Sequence, residues 1–597
     1  MADPGNKLNL TRRDFVKTVG IGIGALQGAA IGAGVLGFSG CGSSPVNPPA
    51  PPIVRWPIAK QVYTTAEQQV CPVALSPSVR QLLPGDVALY GQYKYSAWTL
   101  GGPLQHIVRK DLAPNYTGAP NAARLLYYFS MSDIHIADKE SPAQPLYIGW
   151  SAPYGPGSSG ESSAYSPILL STPQVLDAAI QTINALHNLA PFDFGLSLGD
   201  ACNNTQYNEL RWFLDTIDGK VITPSSGAHL GASSIDYQKP FYAAGLNPEL
   251  PWYQVMGNHD QFWMGSAFED TKTLNAHVGD MILDISDEGA PPPVAIQQKG
   301  AYMGVLDGRT PYGDLWGAGP EADFDTPPRV VADANRHSLA TTESTTINWM
   351  REFFNTTTKP VGHGFSQDNL KSGMACYSFV PKSDIPIKFI VLDDTVKGPG
   401  QADYAAGALD DERYQWLVDE LKAGQAANQL MVIAAHVPIL PQNSLTDTTP
   451  NPMWPGPEYT DDYVLNMLHT FPNLILWMAG HRHVNVVTPQ PNNDPTLAFW
   501  EVETCSLRDH PQQFRTFDIR RNSDNTVSII ITNVDPAVLP GSPAYKSRGY
   551  ALGAFRIFGA TPAIIADTTS HSYNAELVVQ LTPVMQSVIS QAGTQLT

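Results

Sequence analysis

A layered α/β fold with long loop insertions is what the sequence predicts, and three observations carry that expectation. Apolar, β-like runs alternate with helix-patterned segments, the order that builds sheets covered by helices. Five of the apolar runs end in residues of metal-ligand type: "RLLYYFSMSDIH", "FDFGLSLGD", "PWYQVMGNHD", "QLMVIAAHVP" and "NLILWMAGHRH". In open α/β sheets, ligands gather beyond the carboxyl ends of strands. The chain has 597 residues of ordinary globular composition, enough for one large domain with insertions or for two to three domains.

The first 41 residues stand outside that fold. "TRRDFVK", Thr11 to Lys17, sets Arg12 and Arg13 before a Gly/Ala-rich, weakly apolar run. A basic segment ahead of such a run suits an export signal better than a membrane span. It is similar to Tat signal peptides, and "FSGC" resembles a lipobox with Cys41 as the lipidated residue. Tat export machinery and a membrane, reached through Cys41, are therefore expected partners, with a lipid-anchored location in the periplasm or cell envelope. An uncleaved anchor is the alternative. Residues 42–120 begin with a Pro-rich tether, "SSPVNPPAPP" over 43–52, and show no clear function beyond it.

From 121 the elements follow in order. The run ending at Asp133 and His135 reads as a strand, and 141–170 as a loop rich in Gly, Ser, Pro and Tyr. "STPQVLDAAIQTINALHN" reads as a helix with Thr172 as N-cap, Pro173 in the first turn, and Leu176, Ile180 and Ile183 on one face. Strands ending at Asp200 and at Asn258–His259 come next. Residues 261–385 form an insertion read as a set of functional loops. "IKFIVLDDT" is a strand, and "LDDERYQWLVDELKAG" a helix opened by Asp410 and stopped by Gly424, with Tyr414, Leu417 and Leu421 inward. Strands ending at His436 and at His481 and His483 follow. Residues 511–597 form a β-rich closing segment, as in "TVSIIITNV".

The candidate metal ligands are Asp133, His135, Asp200, Asn258, His436, His481 and His483, with His259 set apart. Two imidazoles two residues apart, as in "GHRH", project to one side of an extended segment. Carboxylate, amide and imidazole donors together suit Mn, Fe, Zn or Co, not calcium or a thiolate-bound zinc. The five cysteines, at 41, 71, 202, 376 and 505, show no CxxC spacing. Export suggests two disulfides among the last four, but a Tat route carries proteins folded in a reducing cytoplasm, which favours buried thiols.

The series Asp133-x-His135, Gly199-Asp200-x-x-Asn203, Gly257-Asn258-His259-Asp260, His436 and Gly480-His481-x-His483 resembles the signature of calcineurin-like metallophosphoesterases across 121–510. "GNHDQFWMG", "PVGHGF" around His363 and "FWEVETCSLRDHPQQFR" resemble an exported bacterial branch. The resemblance implies a four-layer α-β-β-α sandwich. It also implies two divalent or trivalent transition-metal ions (Mn, Fe or Zn), one held by Asp133, His135 and His483, the other by Asn258, His436 and His481, with Asp200 bridging. His259 would be the general acid or phosphate stabiliser, oriented by Asp260, and Asn203 would lie near the phosphate. His135 departs from the first motif of purple acid phosphatases, so no tyrosinate–iron site is expected. His363 reads as loop packing, Cys202 as an inert thiol, and Arg482 as salt-bridged or exposed.

The implied activity is hydrolysis of a phosphorylated small molecule, monoesters favoured. A phosphodiesterase or nucleotidase, a non-hydrolytic envelope binding protein and a hydrolase of another bond are the alternatives. The formal charge of −19 argues against nucleic-acid binding, which calls for a basic face. The leader's four cations against two acids leave the remainder at −21, so an anionic substrate must be met by local cations.

Overall fold

The most apolar runs become strands buried on both faces. In the computed structural model, β4 (Ala122–Met131), β5 (Phe194–Ser197), β10 (Ile387–Val391), β11 (Leu430–Ala434) and β12 (Leu474–Ala479) have few or no exposed positions, as strands covered on two sides require. The structure describes residues 50–82, 86–144, 166–283, 304–313, 316, 329–340, 345–395, 406–443, 448–456, 458–558 and 574–596. The leader with Arg12, Arg13 and Cys41, most of the Pro-rich tether, and parts of the 141–170 loop and the 261–385 insertion lie outside those residues. Among the described residues, no helix is long and apolar enough to cross a membrane.

Two large mixed sheets carry the fold. The seven-stranded sheet runs β3 (Ile107–Arg109), β17 (Ala575–Val579), β16 (Val527–Val534), β15 (Phe514–Asn522), β4, β5 and β8 (Trp252–Gln254). The six-stranded sheet runs β13 (Val486–Gln490), β14 (Phe499–Glu503), β12, β11, β10 and β9 (Tyr377–Phe379). Two further pairs, β1 (Gln69–Pro72) with β2 (Trp98–Gly101) and β6 (Val221–Ile222) with β7 (Phe241–Tyr242), are small. The C-terminal segment therefore closes the first sheet, and an N-terminal strand adds its edge. The parallel strands β4–β5–β8 form one end of the seven-stranded sheet, and β10–β11–β12–β14 form the middle of the six-stranded one.

Aromatic side chains join the sheets. Tyr128 stacks between Phe194 and Phe517, with ring centroids 4.7 and 5.1 Å away, and meets Phe389 of the other sheet edge-on at 5.4 Å. Phe194 also meets Phe389 at 5.0 Å. Helices α1 (Thr172–Leu189) and α2 (Tyr207–Ile217) add Leu176, Ile180, Ile183, Leu210 and Phe213 to this central core. The other face of the six-stranded sheet, with Ile390, Met431 and Ile433, packs with Leu417 and Leu421 of α4 (Asp411–Ala426) and Val464 and Leu468 of α5 (Asp461–Leu468).

Several local expectations shift. Ser171, not Thr172, is the cap position of α1, and the Thr172 hydroxyl accepts the Ala137 N–H instead. Asp410 caps α4 by accepting the Arg413 N–H. Gly424 does not stop that helix; it lies inside, where an added Cβ would come 2.5 Å from Met431 Sδ, so it permits close helix–sheet approach. The 261–385 insertion is not loops alone: Trp349, Met350 and Phe353 lie in the central core, and β9 edges a sheet.

Tyr128 carries a directly testable load. Truncating it to alanine removes the ring shared by both sheets and is expected to cost about 3–5 kcal/mol, read as a lowered denaturant midpoint with an unchanged m-value.

Candidate metal centre

Five parallel strands, β4, β5, β8, β11 and β12, each lead to one or two ligand-type residues, but the strands stop short of them. β5 ends at Ser197, β8 at Gln254, β11 at Ala434 and β12 at Ala479. The ligands follow in turns whose backbones bond to one another. The N–H groups of Asp133 and His135 donate to the carbonyls of Gly199 and Asp200, and Gly480 N–H donates to His436 O. Asn258 opens a one-turn helix, α3 (Asn258–Gln261), instead of ending a strand.

These turns are tight enough to force left-handed backbone. Asp133, His135, Asp200, His481 and His483 have φ between +46° and +75°, a region non-glycine residues enter rarely and at a cost. The "GHRH" imidazoles thus converge through two left-handed residues, not through an extended segment. The motif glycines have a physical reason as well. A Cβ on Gly257 would lie 2.2 Å from Asp200 Oδ1, and one on Gly480 would lie 1.9 Å from Ser132 Oγ.

The seven expected ligands come together. His135 Nε2 lies 3.1 Å from His483 Nε2 and 3.3 Å from Asp200 Oδ2. His483 Nε2 lies 3.3 Å from Asp133 Oδ1. On the other side, Asn258 Oδ1 lies 2.9 Å from His436 Nε2 and 3.2 Å from His481 Nδ1. Asp200 Oδ2 is 3.3 Å from His436 Nε2 as well, midway between the two groups. Three sets can each hold a metal ion, with ligand atoms within 4.8 Å: Asp133–His135–His483, His135–Asp200–His259 and Asp133–Asp200–His436.

Neighbouring groups aim the donors inward. His436 Nδ1 donates to Leu198 O at 2.8 Å, which leaves Nε2 as the nitrogen that can offer a lone pair to a metal once its proton is lost. Asn258 Nδ2 donates to Gly265 O at 3.0 Å, which turns its oxygen toward the cleft. His483 Nδ1 is held by Asp509, and the Asp394 carboxylate accepts the N–H groups of His436 and Val437.

The charges also fit cations. Asp133 and Asp200 are 0% and 1% exposed, and the ion-pair partners found for them are histidines. Burial pushes both carboxyls up, yet His483 beside Asp133 and His436 beside Asp200 hold them below the usual carboxylate range. Burial likewise disfavours the two imidazolium ions, but Asp200 and Asp133 drive His436 up to about 10, and Asp133 with Asp509 does the same for His483. Burial lowers His135 and His481 to about 3. Two protonated rings thus do what metal ions would do for the carboxylates. This buried N/O donor set fits transition-metal ions.

His259 is oriented differently from expectation. Its Nδ1 bonds to the carbonyl of Asn203 at 2.7 Å, and its N–H donates to Asp200 Oδ1 at 2.8 Å. Asp260 does not orient the ring: its carboxylate accepts the N–H groups of Gly257 and Cys202 and braces the turn. Asn203 lies beside His259, its amide committed to Gln144 and Arg508. Arg508 and Asp509 escaped the sequence reading although they stand in the quoted "SLRDH" run, because charged loop residues carry no periodic signal. His363 stacks on Trp252 at 3.9 Å and bonds to Thr356, a packing role. Arg482 pairs with Glu503. Cys71, Cys202, Cys376 and Cys505 are all free, and burial raises the Cys202 thiol far above its ordinary range.

No protein-family model matches the chain, and no curated protein does. Among solved structures, a dimetal phosphatase from Danio rerio matches with 10% identity and a TM-score of 0.33, over 70% of this chain and 100% of that one. So loose a likeness carries no argument about chemistry, and the side-chain geometry stands on its own.

Metal uptake should release protons. His436 and His483 stay protonated up to about pH 10 in the metal-free cluster, and a metal displaces those protons. Apparent affinity for manganese or zinc is therefore expected to rise with pH through the neutral range, about tenfold per unit for each proton displaced. Calorimetry in buffers of different ionisation enthalpy measures the release; none at pH 7 would show that both imidazoles are already neutral before the metal arrives.

Proposed function

We propose that this chain is a dinuclear-metal phosphoester hydrolase, a phosphomonoesterase with the α-β-β-α layering of calcineurin-like metallophosphoesterases, exported to the cell envelope. The observation that carries the reading is the position of Asp200. Its Oδ2 lies equally close to His135 Nε2 and His436 Nε2, at 3.3 Å each, which suits a carboxylate shared by two ions. Asp133, His135 and His483 would hold one ion, and Asn258, His436 and His481 the other. When bound, two such cations neutralise phosphoryl charge and acidify water.

The chain's own residues supply the rest. Water attacks phosphorus opposite the leaving oxygen, the phosphorus–oxygen ester bond breaks, and the departing oxygen needs a proton. His259 is placed to provide it. With Nδ1–H donated to Asn203 O, Nε2 is the nitrogen left to carry the transferable proton. Burial lowers the His259 pKa, and a bound phosphate anion offsets that by favouring the protonated ring. The imidazole is held by a backbone carbonyl, which fixes its direction without adding a competing carboxylate.

The assay compares p-nitrophenyl phosphate with bis-p-nitrophenyl phosphate after loading with manganese, zinc or iron, with an EDTA control. Metal-dependent hydrolysis favouring the monoester is expected; diester preference would support a phosphodiesterase, and no hydrolysis of either a binding protein. Asp200→Ala should lose metal and activity together. His259→Ala should retain metal and lose about 10²–10⁴-fold in turnover on poor leaving groups, whereas loss of metal would make His259 a ligand.

Export is proposed from Arg12 and Arg13, and lipid anchoring from Cys41. Changing both arginines to lysine should stop export in a cell fractionation experiment; normal secretion would rule out the twin-arginine route.

A further inference from the structure

Arg508 is 2% exposed, deep beside the candidate metal centre, and among the described residues its Nε has no hydrogen-bond partner. Leaving a guanidinium donor buried and unpaired is costly, and the surrounding chain goes to some length to keep it there. Ser506 Oγ bonds to the carbonyl of Asp133 at 2.7 Å and accepts the Arg508 N–H at 2.9 Å. The Arg508 carbonyl accepts Gln512 Nε2 at 2.8 Å, and the next residue, Asp509, holds the His483 ring. The segment is thus pinned on both sides of Arg508 to ligand-bearing residues.

Nη1 of Arg508 donates to Asn203 Oδ1, the same residue whose carbonyl orients His259. The Asn203 amide is set in turn by Nδ2 donation to Gln144 at 2.8 Å. The guanidinium lies close enough to His135 and His259 to lower the pKa of both, after burial itself. Its own pKa is lowered by burial and partly restored by Asp509, Asp200 and Asp133. A fixed cation with a free donor, next to the proposed acid and the proposed bridging carboxylate, matches a phosphoryl oxygen in charge and in hydrogen-bond sense.

We propose that Arg508, positioned by Asn203, is the substrate-binding residue that selects phosphomonoesters, by donating to a terminal phosphoryl oxygen that a diester lacks. A monoester carries three terminal oxygens and a diester two. Where the guanidinium meets the third, a diester would place an esterified oxygen, a poorer acceptor bearing an organic group. The inference rests on the phosphoesterase reading and names its substrate class.

The test uses the full chain loaded with manganese, in wild-type, Arg508→Ala and Arg508→Lys forms, with metal content and melting temperature recorded for each. Inorganic phosphate is titrated by calorimetry, and both p-nitrophenyl esters are assayed. Arg508→Ala is expected to weaken phosphate binding about 10- to 100-fold, the value of one hydrogen bond to a charged group, and to raise KM for the monoester at wild-type metal content. Diester hydrolysis should change by less than about threefold, because that contact is absent from it. Arg508→Lys should fall between, keeping charge and losing the planar fork. Unchanged phosphate binding in Arg508→Ala, or a parallel fall on both esters, would overturn the proposal, as would metal loss in both variants. Hydrolysis of neither ester by the wild-type chain would instead overturn the phosphoesterase reading, and the phosphate titration would still decide the anchor.

Discussion

Two carboxylates buried between the sheets set the terms for everything near them. Asp133 and Asp200 are almost wholly removed from water, and an uncompensated buried carboxylate is among the costliest groups a fold can hold. Here the compensation is local and layered. Ser132 Oγ and the His481 N–H donate to Asp133, and the His259 N–H donates to Asp200. Imidazoles from four different turns then crowd the remaining lone pairs. Positive charge offsets the pair: the two carboxylates favour protons on His436 and His483, and metal ions would serve the same end.

Holding it requires backbone in unfavourable conformations, and the surroundings oppose relaxation. Left-handed residues cost on the order of 1–3 kcal/mol each when strained, and five ligand positions share that geometry. The turns are locked by bonds between loops of both sheets, such as Leu507 N–H to Ser132 O and the His481 backbone N–H to the Asp133 carboxylate. Beneath them, Tyr128, Phe194, Phe389 and Phe517 hold the sheets in register. The aromatic core therefore serves the cleft: if the sheets slid, the donors on each would part.

A division of labour runs through the outer residues. Asp509 and the Leu198 carbonyl orient the imidazoles of His483 and His436, and Asp394 holds the His436 backbone. Asn203 faces the other way, directing His259 through its backbone and Arg508 through its side chain. Asp260, which sits next to His259 in sequence, is spent on the amides of Gly257 and Cys202. Adjacency along the chain did not translate into contact, because a one-turn helix sends successive side chains in different directions.

The succession of apolar runs along the chain and the seven ligand-type residues that follow them were legible in the sequence, because period and residue type are local properties of the chain. The sequence also marked Gly257 and Gly480, although not why no larger residue fits there. Strand ends ran two to five residues too long in the sequence reading, as at Ser197 and Gln254, since hydropathy continues after ladder hydrogen bonding stops. Only the tertiary structure decided which atoms meet: that Asp200 lies between His135 and His436, that a carbonyl and not Asp260 aims His259, and that Arg508 stands beside them. Those outcomes depend on backbone dihedrals and on contacts between residues as far apart as Asn203 and Arg508, and neither leaves a periodic trace in the order of amino acids.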